Sequence, residues 1–373
     1  PVTRGIARRL YATIRDLPII SPHGHTDPRW FAEDQPFADP ATLLVKPDHY
    51  IFRMLYSQGV PLEKLGIPRK DGSKVESDPR AIWKLFASHW HLFRGTPSRL
   101  WFEHALSSVF GINERLSSDN ADRLYDRIAE KLQEPDYRPR ALFERFKIEA
   151  ISTTEGALDD LKWHDMIRAS GWGGKVVTAY RPDSVLDPEF EGFAANLEQF
   201  GALTGEDVMS WSGYLAAHRQ RRDYFRERGA TSSDHGHATA RTANLSKADA
   251  EALFAKVVAG KVSAEEADLF RGQMLTEMAK MSLDDGLVLQ IHPGSSRNHN
   301  ASLFAQFGRD MGADIPRQTD YVAALKPLLD AVGNERNLTV IAFTLDETSY
   351  SRELAPLAGH YPALKLGPGW WFL

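Results

Sequence analysis

The chain alternates between short, almost wholly apolar runs and longer segments in which apolar residues recur every three to four positions. Apolar runs that are rich in β-branched residues and end in Gly, Pro, His or Asp are typical of buried parallel strands. Amphipathic segments separate these runs, so the order β then α repeats, which indicates a parallel sheet with right-handed crossovers. The predicted strands are residues 18–25, 148–155, 175–181, 230–235, 287–293, 338–345 and 364–372.

The amphipathic segments predict helices between these strands and within one long connection. The helices between strands are predicted at residues 159–170, 188–204, 212–228, 247–259 and 264–281. The connection between the first two strands contains three further helical patterns, at residues 80–92, 98–109 and 118–133. A connection of this length is usually a functional insertion or a lid.

Seven strands in this order predict an α/β fold, a (β/α)8 TIM-type barrel from which the eighth strand is missing. An open sheet of seven strands would leave an unpaired edge, so we expect the eighth strand to lie outside this chain. Residues 1–27 and 147–373 are predicted to form the barrel domain, C-terminally incomplete. Residues 28–146 are predicted to form a helical insertion near the barrel mouth.

The amino-acid composition limits the metal ligands and the partners that this protein can have. The 373 residues contain no cysteine, so a transition-metal site must use His, Asp and Glu. Lys and Arg total 45 against 50 Asp and Glu, and this acidic balance argues against a nucleic-acid partner. No apolar run is long enough for a membrane span and no secretion signal precedes the first strand, so a cytoplasmic protein is expected. The sequence leaves open whether the protein forms a homo-oligomer.

Histidines follow the first predicted strand as His23-Gly24-His25. Side chains two apart on a strand point the same way, so both imidazoles would aim at one point at the strand end. That arrangement suits a divalent metal ion, and catalytic groups of barrels gather at the same ends of the strands. The alternative is a pair of hydrogen-bonded histidines without a metal.

Two other His-x-His pairs carry less weight. His89 and His91 lie in a helical pattern, where residues two apart do not share a face, so a packing or surface role is favoured. His235 and His237 follow the fourth strand beside Asp234. Asp234 could orient a histidine or bind a sugar hydroxyl, and the alternative is a cap for the following loop.

Two arginines are predicted at the same mouth. Arg181 ends the third strand, and Arg297 lies on the loop after His292, which ends the fifth strand. Each arginine alone is more often a surface ion-pair partner. Two planar guanidinium groups above a candidate metal site indicate an anionic substrate instead.

The insertion and the end of the chain offer further candidates. Asp48-His49-Tyr50 precedes an apolar helix, where His49 could be a titratable group at the mouth or Asp48 simply a helix N-cap. Trp370 and Trp371 end the seventh strand, where their rings could stack on a sugar or plug the barrel.

Taken together and in order, these motifs resemble the uronate (glucuronate) isomerase family, a divergent branch of the metal-dependent amidohydrolase superfamily. The resemblance covers nearly the whole chain. The matching segments are His23-Gly24-His25, Asp48-His49-Tyr50 with Arg53, Thr153-Thr154 with Asp159-Asp160-Leu161 and His164, Arg181-Pro182-Asp183, Ser233-Asp234-His235-Gly236, His292 with Arg297-Asn298-His299-Asn300, and the terminal Gly-Trp-Trp-Phe.

The resemblance implies an intramolecular oxidoreductase that interconverts D-glucuronate with D-fructuronate and D-galacturonate with D-tagaturonate. It further implies one divalent metal ion, expected to be zinc, and a hexuronic acid as the small-molecule partner. By the same resemblance, the catalytic residues are His49, Asp234 and His292, the substrate-binding residues are Arg181, Arg297, Tyr50, Trp370 and Trp371, and the metal ligands are His23 and His25, with a third ligand, an Asp after the eighth strand, expected beyond Leu373.

Two other functions stay open from the sequence. A metal-dependent hydrolase of the same superfamily would activate water on the metal, but such enzymes generally carry a histidine on the sixth strand, and residues 338–345 contain none. A non-catalytic sugar-acid binding protein is the other alternative. Glu155-Gly156 also departs from the family's usual residues after Thr153-Thr154, which leaves any role of that acidic position open.

Overall fold

The computed structural model describes residues 2–370 as an α/β protein whose main strands all run parallel to their neighbours. Two further short strands form one antiparallel pair. In chain order the strands are β1 (Ile19–Ser21), β2 (Ile148–Ser152), β3 (Glu155–Gly156), β4 (Lys175–Val177), β5 (Ala179–Arg181), β6 (Ser232–His235), β7 (Val288–Ile291), β8 (Ser295–Ser296), β9 (Ile315–Pro316), β10 (Val340–Thr344) and β11 (Leu364–Gly369).

The parallel strands form two connected sheets. One has the order β1-β2-β4, and the other has the order β3-β5-β6-β7-β10-β11. Backbone hydrogen bonds from Thr153 N to Val177 O (2.8 Å) and from Ala179 N to Thr153 O (3.0 Å) join them where β2 passes into β3 and β4 into β5. The two sheets together form one wall of parallel strands. Among the described residues this wall has seven strand positions, and strands that are neighbours in space are also neighbours in sequence.

Helices fill the connections between the strands and the whole of the long insertion. Short 3-10 turns lie at Leu62–Leu65, Trp90–Phe93 and Pro135–Tyr137, and a π-turn lies at Tyr350–Leu354. The helices are α1 (Val2–Ile14), α2 (Pro28–Glu33), α3 (Pro40–Leu44), α4 (His49–Ser57), α5 (Pro79–Ser88), α6 (Pro97–Ser108), α7 (Ala121–Leu132), α8 (Pro139–Arg145), α9 (Lys162–Ala169), α10 (Asp183–Leu186), α11 (Phe193–Thr204), α12 (Trp211–Glu227), α13 (Lys247–Val258), α14 (Ala264–Asp285), α15 (Ala301–Phe307), α16 (Tyr321–Val332), α17 (Glu347–Ser349) and α18 (Ala355–His360).

All seven predicted strands and all eight predicted helices are confirmed, with bounds that differ by a few residues. The second and third predicted strands are each divided in two by a bend, giving β2 with β3 and β4 with β5. The last predicted strand, residues 364–372, ends at Gly369 within the described part, and residues 371 and 372 lie outside it.

The first strand corrects one expectation. Its apolar run predicted a strand buried on both faces, yet Ile19 is 49% exposed and Ile20 is 61% exposed. The reason is its place at the edge of the wall, because β1 pairs only with β2 among the described strands. At the opposite edge, β11 pairs only with β10 in the same part of the chain. Residues 2–370 therefore show an open wall of parallel strands and no closed barrel, so they do not test the prediction that an eighth strand completes one.

Buried side chains form three clusters. The largest lies between the parallel strands and the helices α11 to α14 and α16. A second cluster, built on α3 to α7, fills the insertion and also takes in Leu303 and Phe307 of α15. A small third cluster joins α2, α8 and α9 to β2. Among residues 2–370, no helix is both long and apolar enough to cross a membrane.

Candidate active site

A large cavity opens where the carboxyl ends of the parallel strands meet the insertion. Its volume is 1490 Å³, above the usual range for a pocket that holds one small ligand. Every predicted site residue that the structure describes lines it, while Trp371 lies outside the described residues. These lining residues are His23, His25, His49, Tyr50, Arg181, Asp234, His292, Arg297 and Trp370.

His23, Asp234 and His292 form the centre of this cavity. One nitrogen of each imidazole and one carboxylate oxygen of Asp234 all lie within 4.8 Å of one another. The rings of His23 and His292 stack with centroids 4.5 Å apart. The ring of Phe343 also stacks with His292, with centroids 4.0 Å apart. His25 lies beside this group, its ring perpendicular to that of His23 with centroids 5.2 Å apart.

The contact between His23 and His292 reports on the shape of the wall. His23 follows the first strand position and His292 follows the fifth, which are four strand spacings apart. Four spacings along a flat sheet would separate them by about 19 Å. Their rings nevertheless stack at 4.5 Å, so the wall curves strongly and brings distant strand ends to one point.

Asp234 is the buried anion at this centre. Its Oδ1 lies 2.6 Å from Nδ1 of His292, and its Oδ2 lies 3.3 Å from Nη1 of Arg181. Burial alone would raise the pKa of Asp234, but His292 and Arg181 outweigh burial and hold that pKa well below its usual range. Asp234 is therefore a carboxylate near neutral pH, and it orients both a histidine and an arginine. The alternative interpretation of Asp234 as a loop cap is wrong.

Arg181 reaches the cavity from the end of β5. It donates from Nε to Oδ2 of Asp183 at 2.9 Å, in addition to its contact with Asp234. Burial opposes its charge, but Asp183 and Asp234 outweigh burial and raise the pKa of Arg181. Gly236 lets this guanidinium approach, because a Cβ at position 236 would lie 2.5 Å from Nη2 of Arg181. The arginine is fixed and charged at the wall of the cavity.

Arg297 approaches the same cavity from the loop after β7. Its Nη1 lies 3.1 Å from Oδ2 of Asp314, and Asp314 also accepts a hydrogen bond from the Asn298 backbone at 2.7 Å. The guanidinium lies 5.7 Å from the ring centroid of Trp370, whose indole meets the His292 ring edge to face at 5.3 Å. A second cation and an aromatic surface therefore flank the central cluster.

The insertion contributes His49 and Tyr50 to the cavity. Asp48 caps α4 by accepting from the backbone N–H of Tyr50 (2.9 Å) and of Ile51 (3.3 Å), so the cap interpretation is correct for Asp48. His49 and Tyr50 still line the cavity, with ring centroids 4.3 Å apart. Burial lowers the pKa of His49, although Asp48 opposes it, and burial raises the pKa of Tyr50 to about 12. His49 is therefore a neutral imidazole near pH 7.

The central cluster has the donor chemistry of a metal site. Within residues 2–370, Nδ1 of His23 and Nε2 of His292 are buried and have no hydrogen-bond partner. Burial lowers the pKa of His23 to about 4 despite the opposing effect of Asp234, and burial also lowers the pKa of His25. Neutral imidazoles next to a carboxylate fit a first-row divalent ion. In this part of the cavity the group that could hold a metal is His23 with Asp234 and His292, and it does not include His25.

Several cavity residues had no role in the sequence interpretation. Asp310 and Asp314 come from the loop between α15 and β9, and Arg271 comes from the middle of α14. Asp183 was visible only as a neighbour of Arg181, which it holds. Of these residues, only Asp310 and Asp314 had a sequence feature that could have indicated them: residues 308–314 combine two glycines with two aspartates, which is typical of a loop.

Fold and site together define a class of enzyme. Histidines, a buried carboxylate and two arginines converge at the strand ends of a curved parallel wall, an arrangement suited to acid–base and metal-assisted chemistry on a small anionic substrate. Comparison with known proteins then identifies the family. The model of the glucuronate isomerase family matches residues 2–373. The chain belongs to that family and is an isomerase.

Individual relatives agree with this family assignment. A uronate isomerase of Rhizobium meliloti is 68% identical over 370 residues, which cover 99% of this chain and 79% of the relative. The crystal structure of glucuronate isomerase from Caulobacter crescentus superposes with a TM-score of 0.97 at 61% identity, covering 100% of this chain and 78% of that one. The uronate isomerase structure from Thermotoga maritima gives a TM-score of 0.90 at 26% identity, covering 98% of this chain and 78% of that one.

Proposed function

We propose that this protein interconverts the aldose and ketose forms of hexuronic acids, D-glucuronate with D-fructuronate and D-galacturonate with D-tagaturonate. The observation that carries the proposal is the convergence of His49, Asp234 and His292 with two arginines in one cavity of a chain that belongs to the glucuronate isomerase family. The names of the relatives, uronate isomerase and glucuronate isomerase, agree with this substrate class.

The reaction needs three things from the protein. A base must take the proton from C2 of the open-chain aldose and return it to C1. Positive charge or hydrogen-bond donors must stabilise the enediolate oxygens that form on C1 and C2. An anchor must hold the carboxylate at the far end of the sugar, so that C1 and C2 lie at the base.

We assign the base to His49, because it is neutral near pH 7, lies at the start of α4 and faces the cavity. Asp234 is a positioning residue that fixes the His292 ring and the Arg181 guanidinium. His292 then lies where its free nitrogen can donate to the enediolate oxygens.

We assign the substrate carboxylate to the arginines, with Arg181 first and Arg297 second. A guanidinium fork binds a carboxylate through two parallel hydrogen bonds, which fixes its direction as well as its position. Tyr50 and Trp370 would pack against the carbon skeleton between the two ends.

A divalent ion, with zinc as our proposal, would be held by His23 and His25 together with the carboxylate of an Asp after an eighth strand, or by His23 with Asp234 and His292. When bound, such an ion supplies Lewis-acid stabilisation of the sugar's C1 and C2 oxygens.

We further propose that the seven strands are part of a (β/α)8 barrel, with residues 28–146 as a helical insertion domain beside its mouth. Support comes from the sequential parallel order, the strong curvature that brings His23 to His292, and the unpaired edges of β1 and β11 among the described residues. The separate hydrophobic cluster of the insertion supports its division from the barrel.

The test is to follow each uronate in D₂O by NMR, using the protein as its gene encodes it. We expect the ketose to form and deuterium to appear at C1, because a base that exchanges with solvent moves the proton. Formation of no ketose from either epimer would refute the proposal. Release of product from an amide, ester or lactone of a uronic acid would favour the hydrolase, and tight binding without turnover would favour the binding protein.

A further inference from the structure

We propose that this protein holds a second divalent metal ion, between Asp183, His235 and His237, separate from the central cluster of the cavity. One nitrogen of each imidazole and one oxygen of Asp183 lie within 4.8 Å of one another. Ligands bonded to one zinc ion at about 2.1 Å are at most about 4.2 Å apart, so a small rotation of the side chains brings all three into bonding range.

The imidazoles of this cluster carry unpaired nitrogens in a buried place. His235 is fully buried and His237 is 4% exposed. Both ring nitrogens of His237, and Nδ1 of His235, have no hydrogen-bond partner within residues 2–370. A buried polar atom without a partner costs free energy, and an imidazole with both nitrogens in that state is rare in a folded protein. A metal bond would satisfy at least one of them.

The protonation state suits metal binding. Burial lowers the pKa of His235 to about 3, and it also lowers the pKa of His237 despite the opposing effect of Asp183. Burial would raise the pKa of Asp183, but Arg181 outweighs it, so Asp183 is a carboxylate. Two neutral imidazoles and one carboxylate form a donor set that first-row divalent ions prefer.

The second cluster shares no residue with the first, and it extends from the cavity to the opposite face of β6. Asp234 and His235 are consecutive on β6, and consecutive side chains of a strand point to opposite faces. Asp234 lines the cavity, while His235 does not and instead reaches Oγ of Ser233 at 3.2 Å. Asp183 and His237 do line the cavity, so an ion could enter from it.

The charges around this cluster leave room for a cation. Asp183 Oδ2 accepts a 2.9 Å hydrogen bond from Arg181, whereas the backbone N–H of Gly236 makes only long contacts with the two carboxylate oxygens, 3.3 and 3.4 Å. The charged groups near His237 include two carboxylates, Asp187 and Asp268, and one cation, Arg271. Arg271 forms ion pairs with Asp187 at 2.7 Å and with Asp268 at 3.6 Å. A bound ion would tie the end of β5 to the loop after β6, the two segments that set the position of Arg181.

The first experiment needs no variant. Crystals of the protein, equilibrated with Zn²⁺, are measured at the zinc absorption edge, and the anomalous map is inspected at both clusters. We expect a peak between Asp183, His235 and His237. A peak at the central cluster with none at the second overturns this inference and leaves the proposed function intact. A peak at the second cluster alone supports the inference and counts against the metal in the proposed function.

The second experiment counts zinc that stays bound through gel filtration into metal-free buffer. His237→Asn should lose one ion per chain relative to wild type. The matched control is the double variant His89→Asn, His91→Asn, which removes another His-x-His pair, on the insertion, whose rings lie 6.3 Å apart. We expect the control to keep the wild-type zinc content. An equal loss in both variants, or no loss in either, overturns the inference.

Discussion

At the residue scale, Arg181 is the side chain on which most of the site depends. It contacts Asp183 and Asp234 at once, and Asp234 in turn positions His292. The arginine therefore serves both as a candidate anchor for the substrate and as the cation that balances a buried carboxylate. This double connection separates it from Arg297, whose partner Asp314 lies on a loop.

Replacing Arg181 with Met should weaken substrate binding strongly. Loss of a charged contact in a desolvated site costs about 2 to 4 kcal/mol, so KM for the uronate should rise roughly 30-fold or more. Steady-state kinetics of the full-length protein measure this KM. Arg219→Met is the control, because Arg219 is half exposed on α12 and pairs with Asp284 at 3.5 Å. An unchanged KM with normal turnover would remove Arg181 from the pocket.

Glu155 predicts a pH dependence of stability. Its carboxyl is buried and accepts hydrogen bonds from Thr153 (2.9 Å) and Thr178. Burial outweighs these bonds and raises the pKa of Glu155 to about 7. The folded state thus binds a proton more tightly than the unfolded state. This contribution to stability is complete below about pH 4.5 and is lost as the pH rises through 7.

Because Gln does not ionise, Glu155→Gln should remove this pH dependence. Its free energy of unfolding relative to wild type should therefore rise by roughly 2.5 kcal/mol between pH 5 and pH 8. Urea unfolding at the two pH values measures this change. Glu149→Gln, at an exposed position on the preceding strand β2, should show no such change. A difference between Glu155→Gln and wild type that stays constant between pH 5 and pH 8 would contradict the burial argument.

The cavity residues at strand ends were predictable, while their grouping was not. His292 and Arg181 follow apolar runs, and the parallel order brings such ends together. The expectation that His23 and His25 share a face assumed that the strand continues, yet β1 ends at Ser21. Both histidines therefore lie on a loop, where alternation does not hold. Asp310 and Asp314 lie on a loop with no strand or helix pattern to place them.

At the scale of elements, α4 shows how a helix cap positions side chains that line the cavity. Asp48 caps the helix, and the next two residues, His49 and Tyr50, line the cavity. Loss of the cap frees the first turn of α4, the turn that carries the proposed base. One element thus connects local helix chemistry to the reaction.

Asp48→Ala should lower the stability by about 1 kcal/mol, the usual value of an N-cap, and should also lower kcat. Thermal unfolding and steady-state kinetics separate the two effects. Asp320→Ala is the matched control, because Asp320 caps α16 through the backbone N–H of Ala323 at 3.1 Å and does not line the cavity. Equal activity losses in both variants would show that only stability changed.

The strands differ in how far the sequence predicts them. The parallel strands were found because the apolar runs are local in sequence. The pair of β8 and β9 was missed, because two-residue strands have no periodicity and depend on the contact of Ser295 with Pro316 and of Ser296 with Ile315. The exposure of β1 was missed for a related reason, since an apolar run does not say whether a neighbouring strand will cover it.

At the scale of the whole molecule, the loop after β7 connects the two large hydrophobic clusters. It begins at the strand end with His292, carries Arg297, and continues into α15, whose Leu303 and Phe307 pack in the cluster of the insertion. The arginine is therefore held from both sides, by the wall and by the insertion.

Leu303→Ala should raise KM several-fold although Leu303 does not line the cavity. Removing a buried leucine side chain costs about 2 to 5 kcal/mol, and here the loss loosens the segment that holds Arg297. Leu253→Ala, an equally buried leucine in the other large cluster, is the control for general destabilisation. KM is measured by steady-state kinetics at a temperature at which both variants are folded. Equal KM values in the two variants would show that α15 does not position Arg297.

This anchoring also bears on how such a protein could be recombined. Residues 28–146 are contiguous and look like a cassette that could be exchanged between relatives. Their hydrophobic cluster nevertheless depends on α15, which is encoded more than 150 positions later than the end of that stretch. A chimera that exchanges only the contiguous stretch would pair a foreign helical unit with the native α15. Successful exchange, by design or during evolution, must move two separated pieces of the gene together.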